Sequence, residues 1–165
     1  MQILNAEKSA RKVQRLAIEI LENNYNEKEI VLVGINDNGL ALAGMLSRHI
    51  EAMNASISLR LVTLRLSPAA PLREGIALGV PPQELVGKAV VVVDDVANTG
   101  RTLFYAFTPL MAVLCKKVEV AVLVDRQHKS FPVKPDYVGL SLATTLQEHI
   151  LVKINPDGLI EAFLE

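Results

Sequence analysis

The sequence predicts an α/β domain built around a mainly parallel sheet flanked by helices. Two observations carry this. The runs "EIVLVGI", "KAVVVVDDV" and "VEVAVLVD" are apolar almost without interruption, as strands buried on both faces must be. Amphipathic stretches of helical spacing alternate with them, which implies a layered sheet with helices packed against it. A chain of 165 residues, half of them hydrophobic, suffices for one domain, 1–165, with a real core.

From the N-terminus, Val13, Leu16, Ala17, Ile20 and Leu21 recur at helical spacing and predict an amphipathic helix over residues 6–23. Lys8, Arg11, Lys12 and Arg15 fall mostly on its other faces and read as a solvated surface. "EIVLVGI" is the next strand, "NDNG" a turn, and residues 40–53 a second amphipathic helix. In "SISLRLVTLRL" the apolar phase shifts from Ile57, Leu59 and Leu61 to Val62, Leu64 and Leu66, which predicts a long strand, bulged near its middle, at or near a sheet edge.

"SPAAPLREGIALGVPPQEL" carries four prolines, two glycines and no periodicity, so residues 66–84 read as a long loop of the kind that serves as a flexible lid. "KAVVVVDDV" follows as a buried strand, then a helix over residues 101–114 that Pro109 should kink. "VEVAVLVD" is hydrophobic enough for the sheet centre. "DYVGLSL", "ILVKI" and "GLIEAFLE" supply further strands, the last two forming a small antiparallel addition because no helix separates them.

Composition excludes several function classes. A formal charge of −1 gives no general attraction to nucleic acid or anionic membrane. One cysteine, Cys115, allows neither an intramolecular disulfide nor a paired-cysteine metal site, and reads as a buried inert thiol. His49 and His149 lack partners at metal-ligand spacing. Neither a signal-peptide core nor a membrane-spanning run is present, so a cytoplasmic protein is expected. Dinucleotide and triphosphate-loop glycine patterns are absent.

The chemistry concentrates in "VVVVDDVANTGRT", residues 90–102. A strand that ends in Asp94 and Asp95 buries carboxylate charge unless solvent or a ligand takes it up. Ligands of open α/β sheets bind beyond the carboxyl ends of the strands. Gly100 permits a tight turn, Thr99 and Thr102 offer hydroxyls, and the next helix presents unpaired N–H groups, a combination suited to a phosphate monoester. The aspartates, a few residues earlier, suit a pair of vicinal hydroxyls one sugar length from that phosphate, so the stretch points to a ribose 5-phosphate. Taken separately, the halves also read as a magnesium-binding strand end and a simple helix cap.

The same segment resembles the phosphoribosyl pyrophosphate signature of type I phosphoribosyltransferases. "IVLVGINDNGLALAGML", "VEVAVLVDRQHKSFPVKPDYVGLSL" and "HILVKI" are similar to parts of the pyrimidine-operon attenuator and uracil phosphoribosyltransferase group. The resemblance implies the type I fold with a small hood formed by C-terminal segments. It implies that Asp94 and Asp95 hold the ribose hydroxyls, directly or through magnesium, and that Ala97, Asn98, Thr99, Gly100, Arg101 and Thr102 cradle the 5-phosphate. Asn36, Asp37, Asn38 and Gly39 would face the pyrophosphate, with Arg65 and Arg73 as cations of the lid, although both read equally well as solvated loop charges.

The base pocket is expected from residues 124–139, with Asp125, Arg126 and His128 the side chains of interest. The implied reaction joins phosphoribosyl pyrophosphate and a nucleobase, with uracil indicated, to give a nucleoside monophosphate and pyrophosphate, with Mg2+ as cofactor. Asn98 stands where purine-specific members tend to carry an acidic residue, and an amide cannot act as that base. The alternative is an RNA-binding pyrimidine regulator or nucleotide sensor that retains the sugar-phosphate site. A homodimer or higher homo-oligomer is implied, and no membrane partner. The chain departs from the resemblance in its first loop, where the group generally carries basic residues, and in "LRLSPAAP", which lacks the group's arginine followed by two acidic residues.

Overall fold

The computed structural model describes residues 1–143 and 148–165. In chain order the elements are β1 (Gln2–Leu4), α1 (Ala6–Asn23), β2 (Glu29–Ile35), α2 (Asn36–Met53), β3 (Ser58–Arg65), α3 (Pro71–Glu74), β4 (Ala77–Leu78), β5 (Ala89–Ala97), α4 (Arg101–Ala106), β6 (Lys117–Arg126), β7 (Tyr137–Leu142), β8 (Ile150–Ile154) and β9 (Ile160–Leu164). Among the described residues the strands make two sheets, a six-stranded one in the order β4-β3-β2-β5-β6-β7 and a three-stranded one in the order β1-β9-β8. Pairing is parallel from β3 through β7, antiparallel for β4 on β3, and antiparallel throughout the small sheet.

Two apolar layers sandwich the large sheet, which is why its strands are continuously hydrophobic. Ile30, Leu32, Val91 and Val93 face one layer with Leu16 and Ile20 of α1, Leu42 and Leu46 of α2, and Val152 and Ile160 of the small sheet. Val31, Val33, Val90 and Val92 face the other with Leu64, Leu85 and Leu103. Each such side chain, fully buried, contributes roughly 1.5–3 kcal/mol. Helix α1 begins where the Asn5 side chain accepts a hydrogen bond from the Lys8 N–H at 2.9 Å. It ends at buried Asn24, whose amide donates to the Ile20 carbonyl at 2.8 Å and to Glu119 at 3.1 Å. Its basic face is partly neutralised by the pairs Arg11–Glu7 and Arg15–Glu19.

Several expectations need correction. Helix α2 starts at Asn36, so "NDNG" forms its first turn instead of a separate loop. Asn36 reverses the chain in one residue with φ 52°, a left-handed conformation that asparagine tolerates. The bulge in β3 is absent: it pairs with β2 in unbroken register from Glu29↔Ser58 to Ile35↔Leu64. Its two apolar phases lie on its two faces: half-buried Leu59 packs toward α2 while Leu61 is exposed, and Val62, Leu64 and Leu66 are buried in the opposite layer.

The helix after residue 101 ends at Ala106, because Pro109 has no N–H with which to continue it, and a 3₁₀ turn over Leu110–Ala112 follows. Strand β6 lies between β5 and β7, leaving β2 and β5 at the centre. Residues 66–84 are not one free loop. They include α3 and the edge strand β4, with Leu78 opposite Leu64 and Ala77 opposite Arg65. The expected antiparallel addition is present, enlarged by β1, which was too short to show a pattern.

Gly34 and Gly39 let β2, α2 and β5 meet backbone to backbone. A Cβ on Gly39 would lie 2.5 Å from the Val93 carbonyl oxygen. Gly39→Ala should therefore lower unfolding free energy in urea by about 1–3 kcal/mol, as overpacking does. A loss indistinguishable from zero would contradict this close approach.

Candidate active site

The carboxyl ends of β2 and β5 lie side by side at the sheet centre, and the loops leaving them face each other. Asp94 is 7% exposed, because it continues the buried valine run of β5 before the chain emerges. Its Oδ1 accepts from the Asp95 N–H at 3.0 Å, and Asp95 Oδ1 accepts from the Val96 N–H at 2.9 Å. Across the cleft, the Asn38 amide donates to Asp95 Oδ2 at 2.7 Å and to the Val152 carbonyl at 3.3 Å, joining α2, β5 and β8. Asn36 ties the end of β3: its amide donates to the Leu66 carbonyl at 3.0 Å and its Oδ1 accepts from the Leu66 N–H at 3.2 Å.

These residues enclose a cavity of about 410 Å³, walled by Asn36, Asp37, Asn38, Asp94 and Asp95 on one side and Ile150, Leu151 and Val152 of β8 on another. Among the described residues its lining holds three carboxylates and no lysine, arginine or histidine. Burial, and then the neighbouring Asp95 charge, push the Asp94 carboxyl well above the usual aspartate range.

A second cavity of about 260 Å³ adjoins the first along Pro68, Val96, Asn98 and Thr102. It is formed by the turn into α4, residues 97–102, with Arg126 and His149. Gly100, at φ 84°, opens α4 with no side chain of its own to cap it; the Arg101 N–H donates to Thr99 Oγ1 at 3.4 Å, and the next N–H groups of the helix face the turn. The turn is braced from behind: the Thr99 carbonyl accepts from the N–H groups of Ser130 and Phe131 at 2.9 and 3.0 Å. Lys129 Nζ donates to the Ala97 carbonyl at 3.3 Å while paired with Asp125 at 2.5 Å.

The residues singled out from the sequence thus divide. Asn36, Asp37, Asn38, Asp94, Asp95, Asn98 and Thr102 share the larger cavity, and Ala97, Thr99, Gly100, Arg101 and Arg126 line the smaller one. Gly39 is buried beneath the first loop. Asp125 and His128 line neither cavity, Asp125 serving Lys129 instead. Arg65 pairs with Asp37 at 2.6 Å, and Arg73 is exposed on α3.

Sequence reasoning missed Pro68, Lys129, the cavity-facing role of β8, and His149, which stands at the phosphate-sized cavity. "ILVKI" reads as a strand, but nothing local says which loops it faces. Cys115 is half-buried and not buried as expected, and its partial burial raises its pKa.

A match to the phosphoribosyl transferase domain covers residues 1–155. The chain belongs to the phosphoribosyltransferase family. Curated relatives named bifunctional protein PyrR share 34% identity with it, over 99% of this chain and 96% of the relative from Halalkalibacterium halodurans, and over 98% and 94% for that from Haemophilus ducreyi. Solved phosphoribosyltransferases have the same fold. A hypoxanthine-guanine enzyme from Bacillus anthracis is similar with TM-score 0.73 at 21% identity, covering 91% of this chain and 85% of its own. A Trypanosoma cruzi hypoxanthine enzyme is similar with TM-score 0.76 at 18%, covering 92% and 84%. The chain is a phosphoribosyltransferase of type I fold, and the paired cavities at the ends of β2 and β5 are its candidate active site.

The raised Asp94 pKa sets the sign of a pH effect. Folding favours the neutral carboxyl, so the associated stability is full below the ordinary aspartate value of about 3.9 and is lost as pH rises through the higher folded value. Asp94→Asn, which cannot ionise, should melt a few degrees above wild type at pH 8, with the difference shrinking toward pH 4. Equal melting temperatures across that range would contradict a buried, strained carboxylate.

Proposed function

We propose that the protein transfers the phosphoribosyl group of phosphoribosyl pyrophosphate to uracil, with Mg2+ as cofactor. The observation that carries this reading is the junction of the two cavities: an aspartate pair stands on one and the glycine turn that opens α4 on the other, with Asn98 and Thr102 shared between them. In this reading the 5-phosphate lies in the smaller cavity, accepting from the α4 N–H groups and the Thr99 and Thr102 hydroxyls. Asp94 and Asp95 accept from the ribose hydroxyls, and the loop of Asn36, Asp37, Asn38 and Gly39 faces the pyrophosphate. Arg126 and His149 border the phosphate cavity and add positive or neutral donors there.

The donor set suits magnesium. Two adjacent carboxylates, one of them buried, line a cavity without a basic side chain, and a hard dication with oxygen ligands meets that excess. Among the described residues no group of three or more metal-ligating side chains forms a cage, as fits an ion shared with substrate oxygens. Bound there, magnesium supplies charge neutralisation for the departing pyrophosphate.

The chain's own residues position and exclude. Asn38 holds Asp95 with its carboxylate turned to the cavity, and Ile150, Leu151 and Val152 give the base an apolar wall. Residues 67–76, between β3 and β4, remain the segment able to close as a lid. Asn98 offers an amide, not a carboxylate, at the shared boundary, which favours a pyrimidine whose reacting nitrogen needs no strong base.

The curated relatives are named bifunctional, which supports a second activity beside the transfer, and the likeness to the pyrimidine-operon attenuator group makes RNA binding that second activity in this reading. Among the described residues no helix is long and apolar enough to cross a membrane.

Mixing the protein with phosphoribosyl pyrophosphate, magnesium and uracil should release pyrophosphate. Hypoxanthine in place of uracil should release little, and chelating the metal should stop the reaction. Asp94→Asn with Asp95→Asn should reduce turnover by about 100-fold or more. Release with hypoxanthine but not uracil would overturn the acceptor assignment. Binding of a pyrimidine leader RNA should weaken steeply with added salt, and no binding at low salt would remove the second activity.

A further inference from the structure

The cavity assigned to the pyrophosphate has the wrong charge for it. Among the described residues its lining carries Asp37, Asp94 and Asp95 and no basic side chain, yet the ligand is a polyanion. The other neighbouring cations are committed or placed elsewhere: Lys129 is paired with Asp125, Arg126 lines the smaller cavity, and Arg48 lines a separate cavity that shares Asp37 and Asn38 with the main one. The Arg65 guanidinium contacts the lining itself. Arg65 Nη1 sits 2.6 Å from Asp37 Oδ1, and it is itself part of an adjoining open cleft of about 360 Å³ that shares Asn36 with the main cavity and has Glu74 on its wall. Arg65 is the last residue of β3, and its place is set by the double hydrogen bond between Asn36 and Leu66.

Both partners of the ion pair are exposed, Asp37 by 88% and Arg65 by 51%. Such pairs are worth little, so the arginine can exchange one anion for another at small cost. A pyrophosphate offers more charge and more acceptor oxygens than one carboxylate, and a guanidinium binds it in a fork.

Resting on the phosphoribosyl reading of the site, we propose that Arg65 is the pyrophosphate-binding cation of this protein and that Asp37 is its exchangeable counter-ion. Free of ligand, Asp37 holds the guanidinium at the cavity rim. When pyrophosphate arrives, Arg65 turns from Asp37 to the ligand oxygens, and the released carboxylate goes to solvent. The cation is thereby supplied from the end of β3, across the loop that carries no positive charge of its own.

Calorimetric titrations with two probes, inorganic pyrophosphate and ribose 5-phosphate, each with magnesium present, test this. Arg65→Gln should weaken pyrophosphate about tenfold or more and leave ribose 5-phosphate within about twofold. Asp37→Asn, which removes both a competitor for Arg65 and a like charge beside the ligand, should tighten pyrophosphate about threefold. Asp37→Arg added to Arg65→Gln should restore pyrophosphate binding by supplying the cation from the opposite side. Unchanged pyrophosphate affinity in Arg65→Gln, equal weakening of both probes, or weaker binding in Asp37→Asn would overturn the proposal. Wild type that binds ribose 5-phosphate but not pyrophosphate overturns it alone, whereas wild type that binds neither overturns the phosphoribosyl reading with it.

Discussion

A carboxylate held at the end of a buried strand is the constraint on which the rest of this structure depends. Asp94 follows four valines into the sheet centre, where its charge is disfavoured by burial and by the aspartate beside it. Few internal groups relieve it: the Asp95 N–H donates to it, and the Asn38 amide serves Asp95 instead. Such a group is destabilising in the free protein and becomes favourable only when hydroxyls or a cation meet it. Perturbed carboxyls in a cleft are characteristic of functional sites for that reason.

The frame around Asp94 is arranged to keep it in place. Parallel pairing of β2 and β5 brings the first turn of α2 and the turn into α4 to one edge, and the Gly39–Val93 approach lets α2 start directly from β2 with no intervening slack. The small sheet then lays β8 over the opening, where the Val152 carbonyl meets the same Asn38 that steadies Asp95. Behind the turn into α4, Lys129 and the N–H groups of Ser130 and Phe131 fix the carbonyls of Ala97 and Thr99. Packing and polar contacts thus converge on a few atoms at the ends of two strands.

Much of this was legible in the sequence because it is local. Buried strands, the helices α1 and α2, and the aspartate-to-threonine stretch announce themselves within windows of about a dozen residues. What stayed hidden depends on distant partners. Whether β3 carries a bulge cannot be told from its apolar phases, because apolar residues stand on both of its faces. The edge strand β4 is two residues long and defined by β3, not by its own pattern. The pairing of Asp37 with Arg65 joins residues 28 positions apart, so no local window shows it. His149 read as an ordinary polar residue because only the small sheet sets it against the phosphate turn.

The central claim is that Asp94 and Asp95 exist to hold a phosphoribosyl ligand. Its most direct test is a phosphorus NMR titration of phosphoribosyl pyrophosphate into wild type and into the Asp94→Asn, Asp95→Asn double variant, with and without magnesium. The account predicts magnesium-dependent shifts of both the 5-phosphate and pyrophosphate resonances with wild type, and their loss in a variant that remains folded. Undiminished shifts in the variant, or none with wild type, would contradict it.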